Sequence, residues 1–214
     1  ETILLATHQR DIAQYCEIAQ AHSAGLEIQV YGYEPDLLDD GWRELLQQQR
    51  AVLRGFTGEL AVHGAFFDLA PASLDGRVSA LALERCRQSL EIAMELGARR
   101  IVFHTGFIPA VPNSSYRAGW TGRQVAFWSR LIEDTALGEL VIVLENMWEP
   151  SPEIIMDVLD QINSPYLAAC LDVAHTVLYG SEAALKDWFA RVAPRLAHCH
   201  VNNNRGRYDD HLPL

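Results

Sequence analysis

The sequence predicts an α/β fold assembled from repeated βα units around a largely parallel sheet. Short apolar strand-like runs alternate with longer stretches of helical periodicity, and residues of metal-binding type recur where the runs end. Two layouts satisfy such alternation, an open doubly wound sheet and a closed eight-stranded barrel. An open sheet ordinarily binds its cofactor beside an early Gly-rich turn, yet neither G-x-G-x-x-G nor G-x-x-x-x-G-K-[ST] occurs. A barrel gathers side chains from many strand ends at one mouth, which is the pattern seen, so the expectation is a TIM (β/α)8 barrel.

The elements follow in order. Thr2 to Ala6 offers a first or frayed edge strand, and Gln9 to Ala24 has helical spacing. Glu27 to Val30 is the next strand candidate and Trp42 to Arg54 the next helix. Leu60 to His63 precedes the helix Ser79 to Leu96, whose Leu81, Leu83, Cys86, Leu90, Ala93, Met94 and Leu96 form one broad apolar face. Gly97 stands where a left-handed C-cap is expected. Arg100 to His104 is a strand, Gly122 to Leu137 a helix and Leu140 to Leu144 a strand. Thr121 and Ser151 are placed to cap their helices, with Pro152 in the first turn of Pro152 to Ile162. Leu167 to Leu171, Glu182 to Val192 and Leu196 to Val201 complete the series.

A full barrel takes about 250 residues, and this stretch has 214. It ends at His211-Leu212-Pro213-Leu214, in what should be the loop after the seventh strand. The expectation is one domain over 1–214 that lacks its C-terminal strand and flanking helices, with a natural seven-stranded variant as the alternative.

Lys and Arg number 17 against 28 Asp and Glu, a formal charge of −11. That balance excludes a basic nucleic-acid coat but not a nucleic-acid enzyme, because a metal cluster supplies positive charge locally. With 49% hydrophobic residues the chain is expected to bury a sizeable core. Cys16, Cys86, Cys170 and Cys199 lie far apart in apolar or periodic segments, which suits reduced thiols. No run of 18 apolar residues and no basic-then-apolar leader occurs, so no membrane partner is expected and the cytoplasm is the default location.

Five strand candidates end in a possible metal ligand: His63, His104, Glu145, Asp172 and His200. In a parallel barrel these ends face one crevice. Asp172 and His175 stand three apart just after a strand, and Asp209 and His211 lie in the loop after the last one. Imidazole with carboxylate suits zinc, manganese or another borderline divalent ion better than calcium. His198 is expected one layer deeper than His200, in a supporting or core role.

Around these residues, Asn146 is expected to orient Glu145 or bind a substrate hydroxyl. Asn202, Arg205 and their neighbours offer donors for a hydroxylated or phosphorylated substrate. Phe66, beside Phe67, and Trp148 are candidate walls for an apolar sugar face or a base, although one of two adjacent Phe residues usually enters the core. Gly106 to Trp120, with Phe107, Pro109, Pro112, Tyr116, Arg117 and Trp120, is long for a βα loop and is expected to form a functional cover. No G-x-S-x-G nucleophile elbow is present.

From about Gly25 onward the sequence resembles the divalent-metal TIM-barrel superfamily that contains the endonuclease IV family and the xylose-isomerase-like sugar isomerases and epimerases. The resemblance rests on Cys170-Leu171-Asp172-Val173-Ala174-His175, on His200-Val201-Asn202-Asn203 through Asp209-Asp210-His211-Leu212-Pro213-Leu214, and on Glu145-Asn146. The endonucleases use three zinc ions to cut DNA at abasic sites. Their resemblance implies three ligand groups: His63, His104 and Glu145; Glu145, Asp172 and His200; and His175, Asp209 and His211. The sugar enzymes imply a single ion on Glu145, Asp172, His200 and a glutamate of the eighth strand. There His175 contacts substrate, Arg205 clamps it, and Glu145 transfers a proton next to a carbonyl. The Phe66-Phe67 loop departs from the polar, tyrosine-containing loop of the endonucleases. The resemblance therefore favours a sugar or sugar-phosphate isomerase or epimerase acting on a small polyhydroxy carbonyl compound, with one to three Zn or Mn ions. The alternative is an endonuclease-IV-like phosphoesterase, with abasic DNA among its substrates.

Overall fold

The computed structural model describes residues 2–110, 114–180 and 183–212. Seven parallel strands, β1 (Leu4–Thr7), β2 (Gly25–Ile28), β3 (Leu60–His63), β4 (Arg100–His104), β5 (Val141–Glu145), β6 (Leu167–Asp172) and β7 (Leu196–His200), pair in sequence order in one curled sheet. Parallel neighbours need crossovers, and helices on the outer face supply them. In chain order the helices are α1 (Ala13–Ala21), the short α2 (Val30–Tyr33) and α3 (Pro35–Asp39), α4 (Trp42–Val52), α5 (Gly76–Leu96), α6 (Ser114–Glu133), α7 (Glu153–Ile162), the short α8 (Val173–Tyr179) and α9 (Leu185–Val192). The result is a TIM-barrel-like α/β fold.

The alternation of side chains along each strand divides the sheet's two faces. Leu26, Ile28, Val62, Ile101, Phe103, Ile142, Leu144, Ala169 and Leu171 join the main core beneath the helices. The small residues Val102, Val143 and Cys170 pack separately on the concave side. His104 pairs in register with Glu145, and Asp172 with His200, whereas His63 lies level with Val102 and Glu145 with Cys170. Such a stagger accompanies strand tilt in a barrel and brings successive C-terminal ends to one mouth.

Several element limits differ from expectation for identifiable reasons. β2 stops at Ile28, because the apolar run continues into a buried short helix, α2 (Val30–Tyr33), and periodicity cannot separate the two. The helix expected from Ser79 begins at Gly76, where Asp75 accepts the Arg77 amide. Within it Leu81 and Met94 are exposed, while Ala82 and Ile92 take the buried positions. Gly97 caps it with φ 76°, as expected. Thr121 and Ser151 do not cap: Thr121 lies inside α6 and bonds back to the Arg117 carbonyl, and Ser151 makes no side-chain cap to α7.

The expected cover over Gly106 to Trp120 is also corrected. Helix α6 already begins at Ser114, and Trp120 is buried against Phe107 with ring centroids 5.0 Å apart, so these aromatics serve the core. Helix α8 starts directly after β6 and was not anticipated. Pro112, Glu182, Pro213 and Leu214 lie outside the described residues. Cys16, Cys86 and Cys170 are buried and free, as reduced thiols should be, and Cys199 is exposed. Among the described residues no helix is long and apolar enough to cross a membrane.

Leu144 is fully buried between sheet and helices, whereas Val177 is 64% exposed. Leu144→Ala should cost about 2–5 kcal/mol in urea unfolding, and Val177→Ala less than about 0.5 kcal/mol. Equal costs would contradict this placement of the core.

Candidate metal centre

The strand ends assemble around one carboxylate. Glu145, at the end of β5, is 1% exposed. Its Oε2 lies 3.0 Å from His104 Nε2 on β4 and 3.3 Å from His63 Nε2 on β3. Its Oε1 lies 2.8 Å from His200 Nδ1 on β7 and 3.6 Å from His175 Nδ1 on α8. Burial alone would raise the pKa of Glu145, but the charges and hydrogen bonds of His200 and His104 hold it well below the ordinary carboxylate range. Burial conversely pulls His104 down.

A second focus lies beside the first. Asp209 Oδ2 stands 3.1 Å from His175 Nε2 and 3.0 Å from His211 Nε2. These contacts hold Asp209 below its ordinary pKa against the opposing effect of burial. Burial pulls His175 down, yet its hydrogen bond to Asp209 and the charges of Glu145 and Asp172 prevail and raise it to about 9.

Local structure explains the aim of each ring. His63 Nδ1 lies 3.0 Å from the Gly64 carbonyl, and His175 Nδ1 lies 2.7 Å from the Asn146 carbonyl. A carbonyl only accepts, so both Nδ1 atoms donate, and each ring is thereby turned with its Nε2 toward a carboxylate oxygen. Gly64 is required beside His63, because a Cβ there would collide with the Phe103 ring. Asp172 begins α8 and accepts the His175 amide at 2.7 Å, which sets His175 one turn above it.

The geometry regroups one expected ligand set. Donor atoms of Glu145, Asp172 and His175 come together, as do those of Glu145, Cys170 and His200, while His63, His104 and Glu145 and His175, Asp209 and His211 group as expected. Asp172 does not gather with His200, because Oδ1 caps α8 and Oδ2 accepts from Asn202 Nδ2. The donor chemistry of the centre fits a divalent cation of the zinc or manganese kind. So do two buried acceptors without a partner, Asp209 Oδ1 and Asn202 Oδ1.

The remaining predicted site residues divide. The Asn146 amide donates to the Asp172 carbonyl and Thr176 Oγ1 and accepts from the Asp172 amide, so it pins β5 to β6 rather than turning to the crevice. Phe66 stands over the ligands, 4.9 Å from both His63 and His104, and Phe67 lies 4.3 Å from it and exposed, so neither is a core residue. Trp148 is exposed, and Arg205 is exposed on the loop after β7, its backbone amide bonded to Asp210.

Three residues were missed. Tyr33 packs edge-on against Phe66 and Phe67. Glu149 is buried and bonded to Thr105 Oγ1 and the Met147 amide, its carboxyl pushed up by burial. Glu27, on β2, touches His198 and His200. The alternation Leu26, Glu27, Ile28 places Glu27 on the concave face and could have revealed it; no comparable signal marks Tyr33 or Glu149.

A sequence model described as a xylose isomerase-like TIM barrel matches residues 17–214. The Methanocaldococcus jannaschii protein MJ1311 is 30% identical over 162 residues, 73% of this chain and 55% of that protein. The aligned region thus spans little more than half of that relative. Among solved structures, the TTHB071 protein from Thermus thermophilus, soaked with ZnCl2, is 30% identical with TM-score 0.79, covering 99% of this chain and 82% of that one. A D-tagatose 3-epimerase-like protein is 24% identical with TM-score 0.78, covering 99% and 79%, a likeness of fold.

His175, raised to about 9, stabilises the metal-free protein fully below its ordinary value of 6.5, and this contribution fades as pH rises through about 9. An NMR titration of its ring protons should show a midpoint near 9, falling by about one pH unit or more in Asp209→Asn. A wild-type midpoint at or below 6.5 would contradict the Asp209 contact.

Proposed function

We propose that this chain, which belongs to the xylose isomerase-like TIM-barrel family, is a divalent-metal-dependent sugar or sugar-phosphate isomerase or epimerase. The observation that carries the reading is the convergence of His63, His104, His175 and His200 on the two oxygens of buried Glu145. The zinc-soaked relative at 30% identity and the fold shared with an epimerase-like protein support it.

In this reading His63, His104, Glu145, Asp172, His175, His200, Asp209 and His211 would hold one to three ions of zinc or manganese. When bound, a divalent cation supplies Lewis acidity that polarises a substrate carbonyl. Glu145, kept anionic by its histidines, would accept a proton from the carbon beside that carbonyl; its return to the former carbonyl carbon completes an isomerisation, and return of a proton to the opposite face of the original carbon completes an epimerisation. Where His175 holds no ion, the Nε2 proton it shares with Asp209 would pass to the carbonyl oxygen and be recovered from the neighbouring hydroxyl. The unpartnered Asn202 Oδ1 accepts from a substrate hydroxyl, Arg205 meets a phosphate or hydroxyl at the rim, and Asn146 keeps the β5 and β6 ends in register. Phe66 and Trp148 present ring faces to the apolar side of a sugar.

One observation favours a second reading. His63 with His104, and Asp209 with His211, extend the donor set into groups on either side of Glu145, as a multinuclear phosphoesterase acting on abasic DNA or a smaller phosphodiester would require. Phe66 and Phe67 at the mouth, in place of polar groups, weigh against it.

The full-length protein, incubated with zinc or manganese and candidate ketoses and aldoses in deuterated water, should incorporate deuterium beside the carbonyl. Glu145→Gln should retain the fold by circular dichroism and lose about 10²–10⁴-fold in rate. Metal-stimulated cleavage of an abasic duplex, with no deuterium incorporated into any sugar, would reverse the order of the two readings.

A further inference from the structure

Glu27 lies on β2, far in sequence from the residues it meets, and its side chain is 2% exposed. It reaches across the concave face to β7. A single oxygen, Oε2, stands 2.7 Å from His198 Nε2 and 3.1 Å from His200 Nε2, while Oε1 accepts from Gln29 Nε2 at 2.8 Å. An ionised carboxylate has no proton to give, so both imidazoles must donate from Nε2. For His200 that choice decides what the other nitrogen does. Nδ1, 2.8 Å from Glu145 Oε1, donates as well while the protein is metal-free, and it is the atom whose proton a cation would replace.

The same arrangement recurs around Glu145 with different partners. His63 and His175 each place Nδ1 on a backbone carbonyl and turn Nε2 toward a carboxylate. His200 is reversed, offering Nδ1 inward, and its outer acceptor is a charged side chain rather than a carbonyl. A carboxylate behind a ligating imidazole fixes its tautomer and orientation and makes the ring a stronger donor. His198, two residues earlier on the same strand face, holds Oε2 from below and keeps it aimed at the second ring.

We propose that Glu27 is a positioning residue, holding His200 with Nε2 protonated and Nδ1 turned toward a divalent cation shared with Glu145. The inference rests on the reading that Glu145 and His200 hold such an ion. It gives His198 a defined task, that of fastening Glu27.

Zinc affinity and stoichiometry of the metal-stripped protein, read by competition with a chromophoric chelator, test it across wild type, Glu27→Leu, Glu27→Gln and His200→Ala. Glu27→Leu should weaken zinc binding about 10–100-fold without changing the number of ions bound. Glu27→Gln keeps the size and one acceptor oxygen, so it should lose less and guards against misfolding of the leucine variant. Spectra of zinc-loaded, 15N-histidine-labelled protein should show a slowly exchanging His200 Nε2–H that disappears in Glu27→Leu. Unchanged affinity in Glu27→Leu and Glu27→Gln, with His200→Ala impaired, overturns the positioning role alone. Loss of one bound ion in Glu27→Gln overturns it too, since Glu27 would then be a ligand itself. Equal zinc binding by wild type and His200→Ala overturns the underlying metal assignment.

Discussion

A carboxylate carried into a protein interior must find positive charge or partners for its oxygens, and Glu145 meets that constraint with four imidazoles. Two of them come from the neighbouring strands on one side, one from β7 and one from the helix after β6. No local segment could supply this set. It exists because parallel strands, paired in order and staggered, deliver their C-terminal residues to one mouth. Fold and site therefore depend on each other: the scaffold brings the rings together, and the rings make burial of the acid tolerable.

The supporting contacts fix the aim of that cluster. Asn146 joins the backbone of β5 to that of β6, Asp172 caps α8 and lifts His175 above it, and Glu149 ties the loop after β5 to Thr105. Each is a buried polar group whose bonds set geometry. Such contacts hold a ligand set within the narrow tolerances that metal coordination needs. Above them the aromatic edge of Tyr33, Phe66 and Phe67 narrows the approach and gives the mouth an apolar side.

Much of the architecture was legible in the chain, because hydrophobic alternation and strand-end polarity report directly on a parallel sheet. His63, His104, Glu145 and His200 could be chosen for their place at strand ends alone. Glu27 followed the same alternation but stood mid-strand, where no terminal position drew attention to it. Helix α8 was hidden because Asp172 serves as strand end and helix cap at once, leaving no loop between the elements. Helix α6 was expected to begin only at Gly122, yet it starts at Ser114 and tolerates both Gly119 and Gly122 in its interior. Which carboxylate gathers with which imidazole depends on side-chain bonds such as Asn202 to Asp172, and these have no signature in spacing.

The central claim is that Glu145 and its histidines bind a divalent cation. Diffraction at the zinc absorption edge from zinc-loaded crystals tests it most directly. The account predicts an anomalous peak about 2 Å from a Glu145 oxygen and from at least one of His63, His104 and His200. Zinc found only at the surface, with Glu145 still bonded to protonated imidazoles at saturating metal, would contradict it.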